Sequence, residues 1–417
     1  MNKLSLSALA LVLPALASAS GYEVIAIHPR DLALTSSAVA AQDGAAAAFF
    51  NPAALSKVDG FSVSAGLSML SITTDWDAPS GSDVTGSQTS EFEPVTPIAL
   101  YLGWGTKVNG RGLGFGFGVG NPAGGNVFYD AQWEGRGRII EVQRRIFGLY
   151  GSTGYELVPE RLRVGGSVIY YKVFEYLKQG IQPYPEAHAE LDTSGGGWAF
   201  GLSAEGKPFA DLPITLAVDY KHSADIHATG DGNFNVPPAL EGPSTMDQGV
   251  THDFTFPNLL AAGVAWRVSQ PVQLTLQYSY SNWSVYQDDT FEGDQGLSIT
   301  VPRKYDDGHI IRGGVEWFAS KAWTLRAGFM RDWSGLNTDA YSPTLPDSSI
   351  WAGAVGAGWN LSPNLQLNAA FFYGIRDQVK STNWRSAENP EGTFPGVYNT
   401  DVWITSLGVT WNLPSGK

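Results

Sequence analysis

The chain has 417 residues, 43% of them hydrophobic and 12% aromatic, with 49 glycines, 14 tryptophans and no cysteine. Such a composition is too rich in turn formers and aromatics for a helical bundle, and the missing cysteine excludes a disulfide scaffold or a Cys-ligated metal centre. A formal net charge of −14 argues against nucleic acid as a partner, because its phosphates would be repelled.

Lys3, the apolar stretch Leu4 to Leu16 and Ala17-Ser18-Ala19 follow the order of a positive region, an apolar core and a small-residue cleavage site. Residues 1–19 are therefore expected to be a cleaved signal peptide that carries the chain through an inner membrane. Beyond them no run approaches the roughly 18 apolar residues of a membrane helix, so any span must be made of strands. Residues 20–60 hold Ala45-Ala-Ala-Ala-Phe-Phe-Asn-Pro-Ala-Ala-Leu-Ser-Lys57, which reads as short helical pieces in which Asn51 caps a helix beginning at Pro52. So short a segment cannot stand alone as a domain, but it can plug a barrel.

Residues 61–413 read as about fourteen strands joined by alternating short and long connections, followed by a tail at 414–417. Short links at 106–111, 157–161, 207–213, 268–271, 319–322 and 361–364 carry Gly, Pro, Asn, Asp, Ser or Lys. Long polar connections are expected at 78–91, 130–141, 178–195, 226–250, 285–307, 334–349 and 378–400. A barrel built from one side of a membrane alternates loops in this way, with the short turns periplasmic and the long loops extracellular.

The third strand departs from the others. Gly112, Gly114, Gly116, Gly118 and Gly120 occupy alternate positions, leaving one face bare so that a ligand or another stretch of backbone can come close. Asn121-Pro122-Ala123-Gly124 follows, and proline there demands a bulge or kink, which makes these residues with Gly118 and Gly120 a candidate opening in the wall. A plain extracellular turn is the alternative. In later loops Tyr184, Phe234 and Leu240 are candidate ligand-collecting contacts, against ordinary loop packing.

Strict alternation then marks the closing strands. Val272, Leu274, Leu276, Tyr278 and Tyr280 face one way and Gln273, Thr275, Gln277 and Ser279 the other. Leu365 to Tyr373 repeats the pattern, and 401–413 ends it with Trp403, Leu407, Val409, Trp411 and Leu413 on the lipid phase.

No Gly-x-Ser-x-Gly occurs and only six histidines are present, so no enzyme is expected, and neither a cofactor nor a metal is called for. The pairs Asp288-Asp289 and Asp306-Asp307 read as solvated loop charges rather than a Ca²⁺ site.

Taken together these residues resemble the FadL-type outer-membrane transporters of long-chain fatty acids and other hydrophobic compounds. The resemblance rests on Gly21-Tyr22, Asn51-Pro52-Ala53, Trp133-Glu-Gly-Arg136, Phe256-Pro257-Asn258, Asn282-Trp283-Ser284, Thr324-Leu-Arg-Ala-Gly-Phe329 and Leu345-Pro-Asp347, in that order. One departure is Thr35 to Gly44, which stands where the family carries glycine pairs.

The resemblance implies an all-β, fourteen-stranded transmembrane barrel in a bacterial outer membrane, occluded by an N-terminal hatch with Gly21, Tyr22, Asn51, Pro52 and Ala53 as its gating residues. It also implies passive uptake: loops collect the cargo, an interior apolar pocket holds it, and it leaves sideways through the third-strand kink. The expected partners are long-chain fatty acids or hydrocarbons, outer-membrane lipids and lipopolysaccharide, and the barrel assembly machinery acting on the C-terminal strand. An aromatic hydrocarbon or alkane channel of the same fold is the alternative, and a polar porin or purely structural barrel a more distant one.

Overall fold

The computed structural model describes residues 21–23, 28–209, 211–381 and 393–413. The expected signal peptide at 1–19 and the tail at 414–417 lie outside the described residues. Six long strands come first: β1 (Gly60–Asp77), β2 (Ile98–Val108), β3 (Arg111–Phe128), β4 (Glu141–Val158), β5 (Leu162–Gly180) and β6 (His188–Gly206). Each of the next two is interrupted once: β7 (Ile214–Lys221, then Ala224–Asn235) and β8 (Gln248–Phe256, then Leu259–Ser269). The circuit continues through β9 (Val272–Ser281), β10 (Gly308–Trp317), β11 (Trp323–Trp333), β12 (Ile350–Ser362), β13 (Leu365–Arg376) and β14 (Val397–Leu413). Between β9 and β10 a hairpin, Asp288–Gly293 with Ser298–Pro302, stands against β8.

The fourteen strands close on themselves, because β14 pairs antiparallel with β1 from Phe61↔Leu413 to Asp77↔Val397 while β1 pairs on its other edge with β2. Closure leaves no sheet edge to meet lipid unpaired. Short turns follow from local chemistry. Asn109 and Gly110, at φ 51° and 77°, supply the two left-handed positions of the tight hairpin between β2 and β3.

Alternation sorts the wall as expected. On β9 Leu276 is 54% exposed toward lipid while Gln277 is 5% exposed toward the lumen, and on β14 Leu407 contrasts with the buried Ile404 and Ser406. Trp104, Trp266, Trp317, Trp323, Trp359 and Trp411 point outward near the short turns, where an interfacial girdle belongs.

Two connections are much shorter than the sequence expectation, while that expected at 78–91 runs on to residue 97. The long loops expected at 178–195 and 226–250 shrink to 181–187 and 236–247, because β5, β6 and β7 run on as a tall paired wall, with Leu191↔Gly232 and Thr193↔Gly230 in register. That part of the wall keeps its alternation with the sense reversed, Ala224, Ile226 and Ala228 turning inward and Asp225, His227, Thr229 and Asp231 outward, so its short polar outer residues read as loop while the backbone ladder persists.

The lumen is filled by residues 28–58: helix α1 (Pro29–Ala33), helix α2 (Ala47–Phe50) and tighter turns at Val39–Ala41 and Pro52–Lys57. Leu32, Leu34 and Leu55 are fully buried, each worth roughly 1.5–3 kcal/mol of burial. Charged tethers fix the segment to opposite walls. Arg30 Nη2 lies 3.2 Å from Glu316 of β10, whose other oxygen accepts from Arg326 Nε of β11 at 2.8 Å. Lys57 Nζ lies 2.8 Å from Glu205 of β6.

Asn51 precedes the Pro52 turn as expected but does not cap it. Its backbone is extended, at φ −166°, and its side-chain amide instead donates to Val39 O at 2.9 Å and Glu205 Oε2 at 3.1 Å. Asn51 thus ties two parts of the hatch to the wall.

Candidate functional site

The glycine face of β3 meets the hatch. A Cβ on Gly114 would lie 2.1 Å from Leu55 O, and one on Gly112 2.0 Å from Ser56 O, so any side chain there would collide with hatch backbone. Pro52 and Ala53 are received likewise by Gly154 of β4 and Gly165 of β5. Gly118 and Gly120 face the Tyr101 ring instead, higher on the same strand.

Directly above Gly120 the strand bulges. Gly120 opposes Gly148 and Ala123 opposes Ile146, so β3 spends one residue more than β4, and Pro122 and Ala123 are both buried in succession. Asn121 repairs the damage with its side chain, accepting from Ile98 N at 3.2 Å and donating to Ile146 O at 3.3 Å. The ladder between β2 and β3 ends at Ala99↔Gly120. From there the chain before β2 stays with β1, through Ser68 N to Pro97 O at 3.0 Å and Leu70 bridging Val95. Pro94, next to Val95, has no N–H to offer toward β3. A gap therefore opens in the wall between 94–98 and 121–128.

Residues 21–23 reach this gap from inside. Gly124 N donates to Tyr22 O at 2.8 Å and Glu23 bridges Ala123, so Tyr22 and Glu23 pair with the strand edge that β2 abandons. Gly21, at φ +46°, packs on Trp283, and the Tyr22 ring meets Trp283 and Tyr286 edge-on at 4.8 and 5.5 Å. Two of the expected gating residues, Gly21 and Tyr22, are thus brought to the expected opening, whereas Asn51, Pro52 and Ala53 lie lower, against the glycine face.

Behind the gap is an interior pocket with a cavity of about 100 Å³. One side is apolar, from Leu70, Ile350, Val402 and Ile404. The other is a buried ionic cluster. Arg144 Nε lies 2.7 Å from Glu175 Oε1, Arg144 Nη2 3.4 Å from Asp289 Oδ1, and Arg303 Nη2 2.8 Å from Asp289 Oδ2. His252 bridges both carboxylates, with Nδ1 2.7 Å from Glu175 and Nε2 3.2 Å from Asp289, which fits an imidazolium. The Arg144 guanidinium also lies over the Tyr22 ring, 4.8 Å from its centroid. Burial pushes the Tyr286 phenol up to about 12, so it remains a neutral donor to Asp289.

A second cavity of about 650 Å³ occupies the gap itself, and its lining shares Leu70, Gly124, Gly125, Asn126, Gln143 and Arg144 with the interior pocket. A Cβ on Gly125 would meet nothing within 4 Å, so this residue borders open space.

The candidate collecting residues lie apart from this site. Tyr184 is exposed in the turn between β5 and β6, Phe234 packs against Leu191, Val250, Phe291 and Leu297, and Leu240 sits half-buried in the loop after β7. Asp289, expected as a solvated loop charge, is 1% exposed and central to the cluster, because the β9–β10 hairpin folds against β8 and turns it inward. The cluster as a whole was missed from sequence. Its one local signal was a charge on the inward phase of a strand, as at Arg144 and Glu175. No group of three or more potential metal ligands suited to an ion occurs among the described residues.

Comparison with known proteins agrees with this architecture. The family described as Outer membrane protein transport protein (OMPP1/FadL/TodX) matches residues 10–413. A Long-chain fatty acid transport protein of Escherichia coli O6:H1 is 23% identical over 381 residues, 81% of this chain and 82% of that protein. Among solved structures, a Pseudomonas aeruginosa FadL homologue superposes with a TM-score of 0.81 at 18% identity, covering 94% of this chain and 100% of that one. The P. putida toluene transporter TodX superposes at 0.73 and 15% identity, covering 95% and 99%. With a closed barrel, a lumen-filling hatch and a family match over nearly its whole length, the chain belongs to the OmpP1/FadL/TodX family of bacterial outer-membrane transport proteins.

Proposed function

We propose that the protein carries hydrophobic molecules passively across the outer membrane and releases them sideways through the gap between β2 and β3. The observation that carries this reading is the shared lining of the interior pocket and the wall cavity, which together make one path from lumen to lipid. An apolar molecule gains roughly 0.8 kcal/mol for each buried CH₂, so a route that keeps it out of the polar lower lumen is favoured. Gating falls to Gly21, Tyr22 and Glu23, which lie across the gap, with Asn51, Pro52 and Ala53 anchoring the hatch below. Outside, Tyr184, Phe234 and Leu240 belong to the collecting surface. Lipids meet the tryptophan girdle, lipopolysaccharide the upper rim, and the barrel assembly machinery reads β14 after a signal peptide has delivered the chain. The names of the relatives favour both fatty acids and aromatic hydrocarbons as cargo.

Gly125→Phe tests the path, because the new ring enters open space rather than protein. Uptake of a labelled hydrophobic substrate by cells carrying this variant should fall at least about tenfold with the barrel folded, because the ring fills the space where the two cavities share their lining. Undiminished uptake would remove the lateral route.

A further inference from the structure

Resting on the transport reading above, we propose that the cargo held in the interior pocket is uncharged. Three guanidinium groups line that pocket, from Arg144, Arg303 and Arg376, and each already faces a carboxylate: Glu175 and Asp289 for Arg144, Asp289 for Arg303, and Asp347 for Arg376. Four carboxylates line the same space, from Glu23, Glu175, Asp289 and Asp332, so the lining itself carries more negative than positive groups. The adjoining pairs restore the balance. Arg312 lies 3.8 Å from Glu23, and His252 touches both Glu175 and Asp289, which with Asp347 makes five cationic against five anionic side chains.

A carboxylate arriving here finds no cation that lacks a partner. To be neutralised it must draw Arg144 from Glu175 or Asp289, which leaves Glu175 to His252 or Asp289 to Arg303 and His252, and weakening a buried ion network in this way is costly. A neutral molecule disturbs none of these pairs and still covers Leu70, Ile350, Val402 and Ile404. The size agrees, since about 100 Å³ is of the order of the roughly 150 Å³ apolar cavity that accepts benzene in an engineered protein.

Matched ligands test this on the purified native protein. Toluene against benzoate, and benzyl alcohol against phenylacetate, would each compete with the fluorescent probe 1-aminoanthracene at about pH 8, where both acids are ionised. Each neutral member should displace the probe at a concentration at least about tenfold lower than its acid. Glu175→Gln, which removes one negative charge and keeps the shape, should narrow or reverse that gap. Acids binding as tightly as their neutral partners in the native protein would overturn the inference and leave transport standing. If none of the four displaces the probe, the transport reading falls and the inference with it.

Discussion

Glycine serves two unrelated ends along β3, and only one of them concerns backbone conformation. Gly124, at φ +140°, lies where side chains strain the backbone, and a Cβ there would also strike Arg144 O at 2.5 Å. Gly112 and Gly114 have ordinary dihedrals and are bare because the hatch backbone lies against them. Gly114→Val should therefore leave the wall paired but push the Pro52–Lys57 turn off it, weakening hatch docking by about 1–3 kcal/mol, as overpacking a tight contact does. Protease access to the hatch and ion leakage through the barrel should both rise, while Gly151→Val, with nothing within 4 Å of its Cβ, should change neither. Equal behaviour of the two variants would show that the hatch does not depend on this face. The alternation of glycines was plain in the sequence and implied a close approach, but spacing along one strand carries no information about what approaches. Asn51 shows the same limit from the other side: its position before Pro52 suggested a cap, and the nearby Glu205 carboxylate and Val39 carbonyl took the side chain instead.

At the level of elements, the opening is made by two strands that stop pairing rather than by a hole in either. The bulge at Pro122 turns β3, Asn121 satisfies the two backbone groups left at the break, and Pro94 on the facing segment withholds a donor. Because the bulge is a single extra residue on β3, deleting Pro122 leaves residues 123–128 facing as before and lets the ladder with β2 extend. The variant is expected to be at least as heat-stable as the native barrel in gel-shift unfolding and to take up hydrophobic substrate several-fold more slowly. Faster or unchanged uptake would separate the bulge from transport. Proline announced this kink in the sequence because its chemistry is local. The upper parts of β5, β6 and β7 read as loops for the complementary reason: their outward residues, as at Asp225, His227, Thr229 and Asp231, are short and polar, and the apolar set faces inward instead of toward lipid.

For the molecule as a whole, the barrel is legible in outline because lipid imposes a period of two on every strand and one-sided assembly imposes an alternation of loops. The ionic cluster is not: Arg144 and Glu175 face each other across neighbouring strands, but His252, Asp289 and Arg303 come from distant parts of the chain and meet that pair only in the folded barrel. The lumen wall against the hatch is charged as well, through Glu205, Arg163, Glu316 and Arg326. Without the hatch these groups would face water, and a polar lumen of fourteen strands lies in the range between small filled barrels and the wide aqueous pores of porins. The strand ladder does not need the hatch for closure, since β1 and β14 pair along their whole length. A variant lacking residues 28–58 is therefore expected to assemble and to conduct ions in stable steps in a planar bilayer, whereas the intact protein is expected to pass almost none. A silent variant that is nevertheless folded would place the seal in the extracellular loops, and the tethers at Glu205 and Glu316 would then hold the hatch for some purpose other than closing the pore.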